Sequence, residues 1–144
     1  MVNIDIIWGI ILVSVTLKCW IGQIIIALSP RIAVKIRIAE AKSDVDPTFF
    51  TDMRGQAIWD SISLWTLPVA GLLLIIDNVL WAYFGLIGGG MYLYFVGRGI
   101  TSRLTMQRQK INIGRSNLKV KLVLTLWGII AAVTIIISIK SLIL

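Results

Sequence analysis

Apolar residues run almost unbroken through four stretches of this chain, at 6–28, 58–76, 79–97 and 122–139, and polar residues gather between them. Each stretch has close to the about 20 residues that a helix needs to cross roughly 30 Å of hydrocarbon. Only Asp77-Asn78 separates the second from the third, which predicts a tight turn between antiparallel helices. The pattern therefore predicts an all-α integral membrane protein, a single membrane domain over 1–144 with four transmembrane helices in two antiparallel hairpins. The intervening loops are 29–57 and 98–121.

The loops carry a second pattern. Residues 31–38 alternate polar and apolar, with Ile32, Val34, Ile36 and Ile38 in phase, and a period of two is a strand signal. Residues 110–113 and 118–121 flank the polar stretch Gly114-Arg115-Ser116-Asn117 and read as a hairpin, with Ile113 opposite Leu118 and Ile111 opposite Val120. A small cytoplasmic β-hairpin or short sheet built from the two basic loops is one expectation. The alternative is that 31–42 lies along the membrane surface and 118–121 begins the last helix.

Composition supports the membrane reading. Of 144 residues, 58% are hydrophobic and 15% charged, whereas soluble domains average about 45–50% and about 25%. That balance excludes a soluble enzyme, a disordered tail and a disulfide-stapled module. With no histidine and one cysteine, histidine-ligated haem, ordinary zinc or copper sites and histidine-dependent nucleophilic triads are excluded, and no cofactor is expected. No basic residue precedes the first apolar run, and Pro30 follows the small-residue stretch Ala27-Leu28-Ser29, so the first segment reads as a retained span rather than a cleaved signal.

Charge then orients the spans. Twelve of the fourteen Lys and Arg residues lie in 29–57 and 98–121, against Lys140 alone on the other side. The positive-inside bias places both loops in the cytoplasm and both termini outside a cell (plasma or inner) membrane. Trp8 and Trp81 sit near the expected outer interface, Trp59 and Tyr94 near the inner one. The basic residues Arg31, Lys35, Arg37, Arg103, Arg108, Lys110, Arg115, Lys119 and Lys121 are candidates for binding anionic lipid headgroups or a partner. No glycine-rich phosphate loop accompanies them, and no nucleic-acid partner is expected.

Candidate chemistry lies within the spans. Lys18 is near mid-membrane, where a cation costs about 2.5–3.5 kcal/mol and is a functional candidate by default; alternatively it snorkels on a tilted helix or caps a carbonyl freed by Pro68. With Gln23, Asp60, Ser63 and Asn78 it forms the set of candidate pathway residues, Asp60 and Asn78 being five helical turns apart on one face. Pro68 predicts a kink at Leu64. Gly85, Gly88, Gly89 and Gly90 suit close helix packing or a broken helix. Asp44-Val45-Asp46 superficially resembles a metal-binding acid pair, but a solvated turn accounts for it. Trp8-Gly9-Ile10-Ile11 recurs as Trp127-Gly128-Ile129-Ile130, a weak hint of an inverted repeat. The expected function is an oligomeric channel or transporter for a small solute or ion. The alternative is a non-catalytic accessory or scaffolding subunit that docks other membrane subunits, with a membrane-embedded enzyme using Asp44, Asp46 or Asp60 a more distant class.

Overall fold

The computed structural model describes residues 4–114 and 117–143. They form α1 (Ile4–Leu28), α2 (Pro30–Lys35), α3 (Pro47–Ser63), α4 (Thr66–Ile75), α5 (Trp81–Arg108) and α6 (Asn117–Ile143). Three helical segments are long and apolar enough to cross a membrane: Ile4–Leu28, Pro47–Ile75 and Leu118–Ile143. The fourth expected span falls in α5, which has the length but mixes six glycines and three tyrosines into its apolar run.

Local chemistry sets the ends of these helices. Pro68 cannot donate to Leu64, so the second rod breaks at Leu64-Trp65 and resumes at Thr66 as α4. Hydroxyls take up carbonyls around the break: Ser63 Oγ donates to Trp59 O at 3.1 Å and Thr66 Oγ1 to Ser63 O at 3.3 Å. Asp46 caps α3 by accepting from Thr48 N at 2.8 Å, with Pro47 in the first turn. Three helices end in the same way. Arg37, Asp77 and Lys110 hold φ of 61°, 54° and 59°. After each, the next residue donates back to the helix: Ile38 to Ala33 O, Asn78 to Leu73 O and Ile111 to Met106 O. These are Schellman turns with a charged residue where glycine is usual.

The rods pack antiparallel in chain order, α1 on α3 and α4, α4 on α5, and α5 on α6, while α1 and α6 touch only marginally. Glycine permits the closest approaches. A Cβ on Gly71 would stand 2.9 Å from Gly9 O, and one on Gly88 2.7 Å from Leu67 N. The middle of the bundle is filled by Leu12, Leu64, Leu67 and Tyr92, all fully buried. Tyr92 ties α5 to α1 by donating to Thr16 O at 2.9 Å.

The loops correct the expected sheet. Residues 30–35 form α2 rather than a strand: Pro30 fits the first helical turn, and Ala33 docks against Ile26, Ala27 and Ala57 while Ile32 stays exposed. Residues 117–121 belong to α6, and there is no strand among the described residues; Arg115 and Ser116 of the expected hairpin turn lie outside them. The two loops nevertheless meet. Asp46 N donates to Asn112 O and Asn112 Nδ2 to Asp44 O, both at 2.9 Å, over a small core of Val45, Phe49 and Ile113.

Candidate functional site

Among the described residues, one carboxylate is buried in the interior of the bundle. Asp60, near the end of α3, is 2% exposed and its Oδ2 has no hydrogen-bond partner. A buried oxygen left unpaired costs a few kcal/mol, so its retention marks the position. Asp60 borders a cavity of about 200 Å³ lined by Gly55, Gln56, Trp59, Tyr94 and Arg98. Arg98 also donates to Asp52 Oδ1 at 2.6 Å, and Ser102 Oγ donates to Asp52 Oδ2 at 3.1 Å. Arg98 thus pairs with Asp52 toward the basic end and lines the same cavity as Asp60. Elsewhere in the interior Thr16 and Thr134 donate to Leu12 O and Ile130 O, while the buried Ser138 Oγ and Trp8 Nε1 have no partner among the described residues.

Helical spacing places this cluster. Asp52, Gln56 and Asp60 recur every four residues along α3, as do Tyr94, Arg98 and Ser102 along α5, so each set shares a face. That signal was available in the sequence. The expected line from Asp60 ran the other way, toward Ser63 and Asn78. The break at Leu64-Trp65 interrupts it. Ser63 bonds to its own helix, and Asn78 lies beyond α4, where its Oδ1 accepts from Leu80 N at 3.0 Å.

The other expected residues scatter. Lys18 is exposed on the outer face of α1, and Gln23 is half-buried; neither lines the cavity beside Asp60. Pro68 is buried at the start of α4. The three consecutive glycines diverge: Gly88 meets Leu67 of α4, Gly89 meets Ala131 and Ile135 of α6, and Gly90 faces open space. Gly85 packs on Ser138, and α5 continues unbroken through all four. Asp46 serves as a helix cap, and Asp44 accepts from Ser43 Oγ at 2.9 Å.

Among the basic residues, Arg31, Lys35, Arg37, Arg108, Lys110 and Lys119 are exposed. Lys121 donates to Gln107 at 3.0 Å, and Arg115 lies outside the described residues. Arg103 differs. Half-buried, its guanidinium carbon lies 5.0 Å over the Phe49 ring, and it lines a second cavity of about 810 Å³ at the basic end. Burial pushes its pKa down, against the opposing pull of Glu40 and Asp52.

Comparison of the chain with known protein families, curated proteins and solved structures finds no match. Its function is therefore argued from these residues.

Proposed function

We propose that this chain crosses a cell membrane four times, with 29–57 and 98–121 in the cytoplasm and both termini outside, and that it transports a proton or small cation through a site at Asp60. The observation that carries the reading is the unpartnered Asp60 Oδ2, buried between helices beside a cavity whose lining it shares with Arg98. An ionisable group held inside a membrane bundle at this cost is a feature of ion and proton pathways.

Two observations support the topology. Twelve of fourteen cations cluster at one end. α5, the helix short of apolar residues, packs between α4 and α6, where small residues serve a membrane helix better than bulky apolar ones. Leu12, Leu64, Leu67 and Tyr92 fill the bundle beyond Asp60, which favours a carrier or relay that rearranges over an open pore.

The test is flux from purified protein in liposomes loaded with a pH-sensitive dye. Wild type should dissipate an imposed proton or cation gradient, and Asp60→Asn should fall to the level of empty vesicles. Equal flux from the two proteins overturns the assignment to Asp60. A second reading, an accessory subunit, draws on Lys18, whose exposure on α1 beside exposed Ile11, Ser14 and Ile21 leaves a cation for a partner subunit's carboxylate. No flux from pure wild-type protein would move the balance to that reading.

A further inference from the structure

The larger cavity lies apart from Asp60 and shares no residue with its surroundings. Loop 36–46, the start of α3 and residues 112–114 enclose it, and the two loops are latched together by Asn112. Its lining has two characters. One side is apolar, with Val34, Ile38 and Val120. Ile38 Cδ1 comes within 4.0 Å of the Cβ position of Gly22, two turns inside the end of α1 at Leu28, so this side reaches into the depth of the apolar run. It is lined by Val34 of α2 and Val120 near the start of α6.

The other side is charged, and no ion pair joins its charges among the described residues. Arg103 makes no hydrogen bond or ion pair among the described residues, where the single salt bridge is Arg98–Asp52. Its contact with Phe49 uses none of its five N–H donors. Arg37, exposed and in the left-handed region just past α2, lines the same space. So do Glu40 and Asp44. Gly114, with φ of 86°, presses on Glu40, whose Cγ would stand 2.7 Å from a Cβ there. Half-buried Arg103 and Glu40, with exposed Arg37 and Asp44 beside them and no ion pair joining them among the described residues, are complementary to a ligand that itself carries both charges, and the apolar wall asks for a hydrocarbon tail.

We propose that this cavity binds a phospholipid with a primary amine in its headgroup. The phosphate is taken by Arg103 and Arg37, the ammonium by Glu40 and Asp44, and an acyl chain lies along Val34, Ile38 and Val120. Guanidinium matches phosphate geometry through paired N–H donors. A primary ammonium offers three donors to the two carboxylates, which a trimethylammonium cannot, and a glycerol headgroup brings no cation. The proposal is independent of transport through Asp60.

Native mass spectrometry after equilibration with an equimolar mixture of phosphatidylethanolamine, phosphatidylcholine and phosphatidylglycerol tests it. Wild type should retain the ethanolamine lipid over the other two by about tenfold, the scale of one charge-assisted contact. Arg103→Gln should lose retention of all three, and Arg103→Lys should recover part of it. Glu40→Gln, at a half-exposed position outside the helices, should fold normally and lose the preference over phosphatidylglycerol. Soluble phosphoethanolamine at the same concentration should displace no lipid; displacement would overturn the lipid as the occupant. Equal retention of the three lipids by wild type, or unchanged retention in both Arg103→Gln and Glu40→Gln, would overturn the site itself.

Discussion

Adding one methyl group at Gly88, Gly89 or Gly90 should give three different results within a single turn of α5. At Gly88 the new Cβ would stand 2.7 Å from Leu67 N and 2.9 Å from Leu67 Cα. Both are backbone atoms, one residue before Pro68, so no rotamer relieves the overlap and α4 must move away from α5. Overpacking of this kind costs about 1–3 kcal/mol. At Gly89 the nearest atom is Ile135 Cγ1 at 2.5 Å, with Ala131 O at 3.1 Å. A side chain can rotate, so the cost is intermediate. Gly90 has nothing within 4 Å, and alanine there gains about 0.5–1 kcal/mol from reduced freedom of the unfolded chain and better helix propensity. The propensity gain is common to both positions, so the spread from Gly90→Ala to Gly88→Ala is the overpacking cost, about 1–3 kcal/mol. Unfolding each variant in mixed micelles with increasing sodium dodecyl sulfate, followed by tryptophan fluorescence, measures it. Equal stability of Gly88→Ala and Gly90→Ala would refute the packing of α5 between α4 and α6.

Two further substitutions probe other parts of the argument. Lys110→Gly should stabilise the fold by about 1 kcal/mol, because Lys110 holds φ of 59° at the end of α5 and glycine adopts that conformation without the Cβ penalty; a lower midpoint in the same titration would contradict the Schellman turn. Tyr92→Phe should cost about 1 kcal/mol by removing the buried bond to Thr16 O at 2.9 Å, and a neutral result would mean that α1 and α5 are not tied there.

Much of the helical framework was readable from apolar runs and proline, because both act locally. The break at Leu64-Trp65 follows from Pro68 alone, and the turn at 77–80 follows from Asp77-Asn78. The period-two pattern at 31–38 misled for a tertiary reason. Pro30 in the first turn and the docking of Ala33 against Ile26 and Ala57 outweigh an alternation whose isoleucines find no common partner. The site was half-readable. Asp60 stood out as a charge at the edge of an apolar run, but its partners did not. Asp52 and Arg98 are 46 residues apart, and their pairing depends on how α3 and α5 cross. Lys18 stood out in the same way yet faces outward, since spacing along a single helix does not say which side its neighbours occupy.

The helix that falls short as a span in apolarity, though not in length, is the one that organises the molecule, and these two facts have one cause. Hydropathy along a chain mostly reports what a helix must present to lipid. α5 packs against α4 on one side and α6 on the other, so much of its surface meets protein. Glycine lets the backbones approach where side chains would hold them apart, as Gly88 does against Leu67 and Gly89 against Ala131. Shielding by neighbours also allows polar groups where lipid would penalise them. Arg98 and Ser102 engage Asp52 toward the basic end of α5, and Asp60 sits opposite Tyr94 and Arg98 in the lining of one cavity. Low apolarity in α5 and a buried carboxylate in α3 are thus two consequences of the same central packing. If α5 were displaced to the rim of the bundle, its glycines would lose their partners and Asp60 would lose Tyr94 and Arg98 from its surroundings.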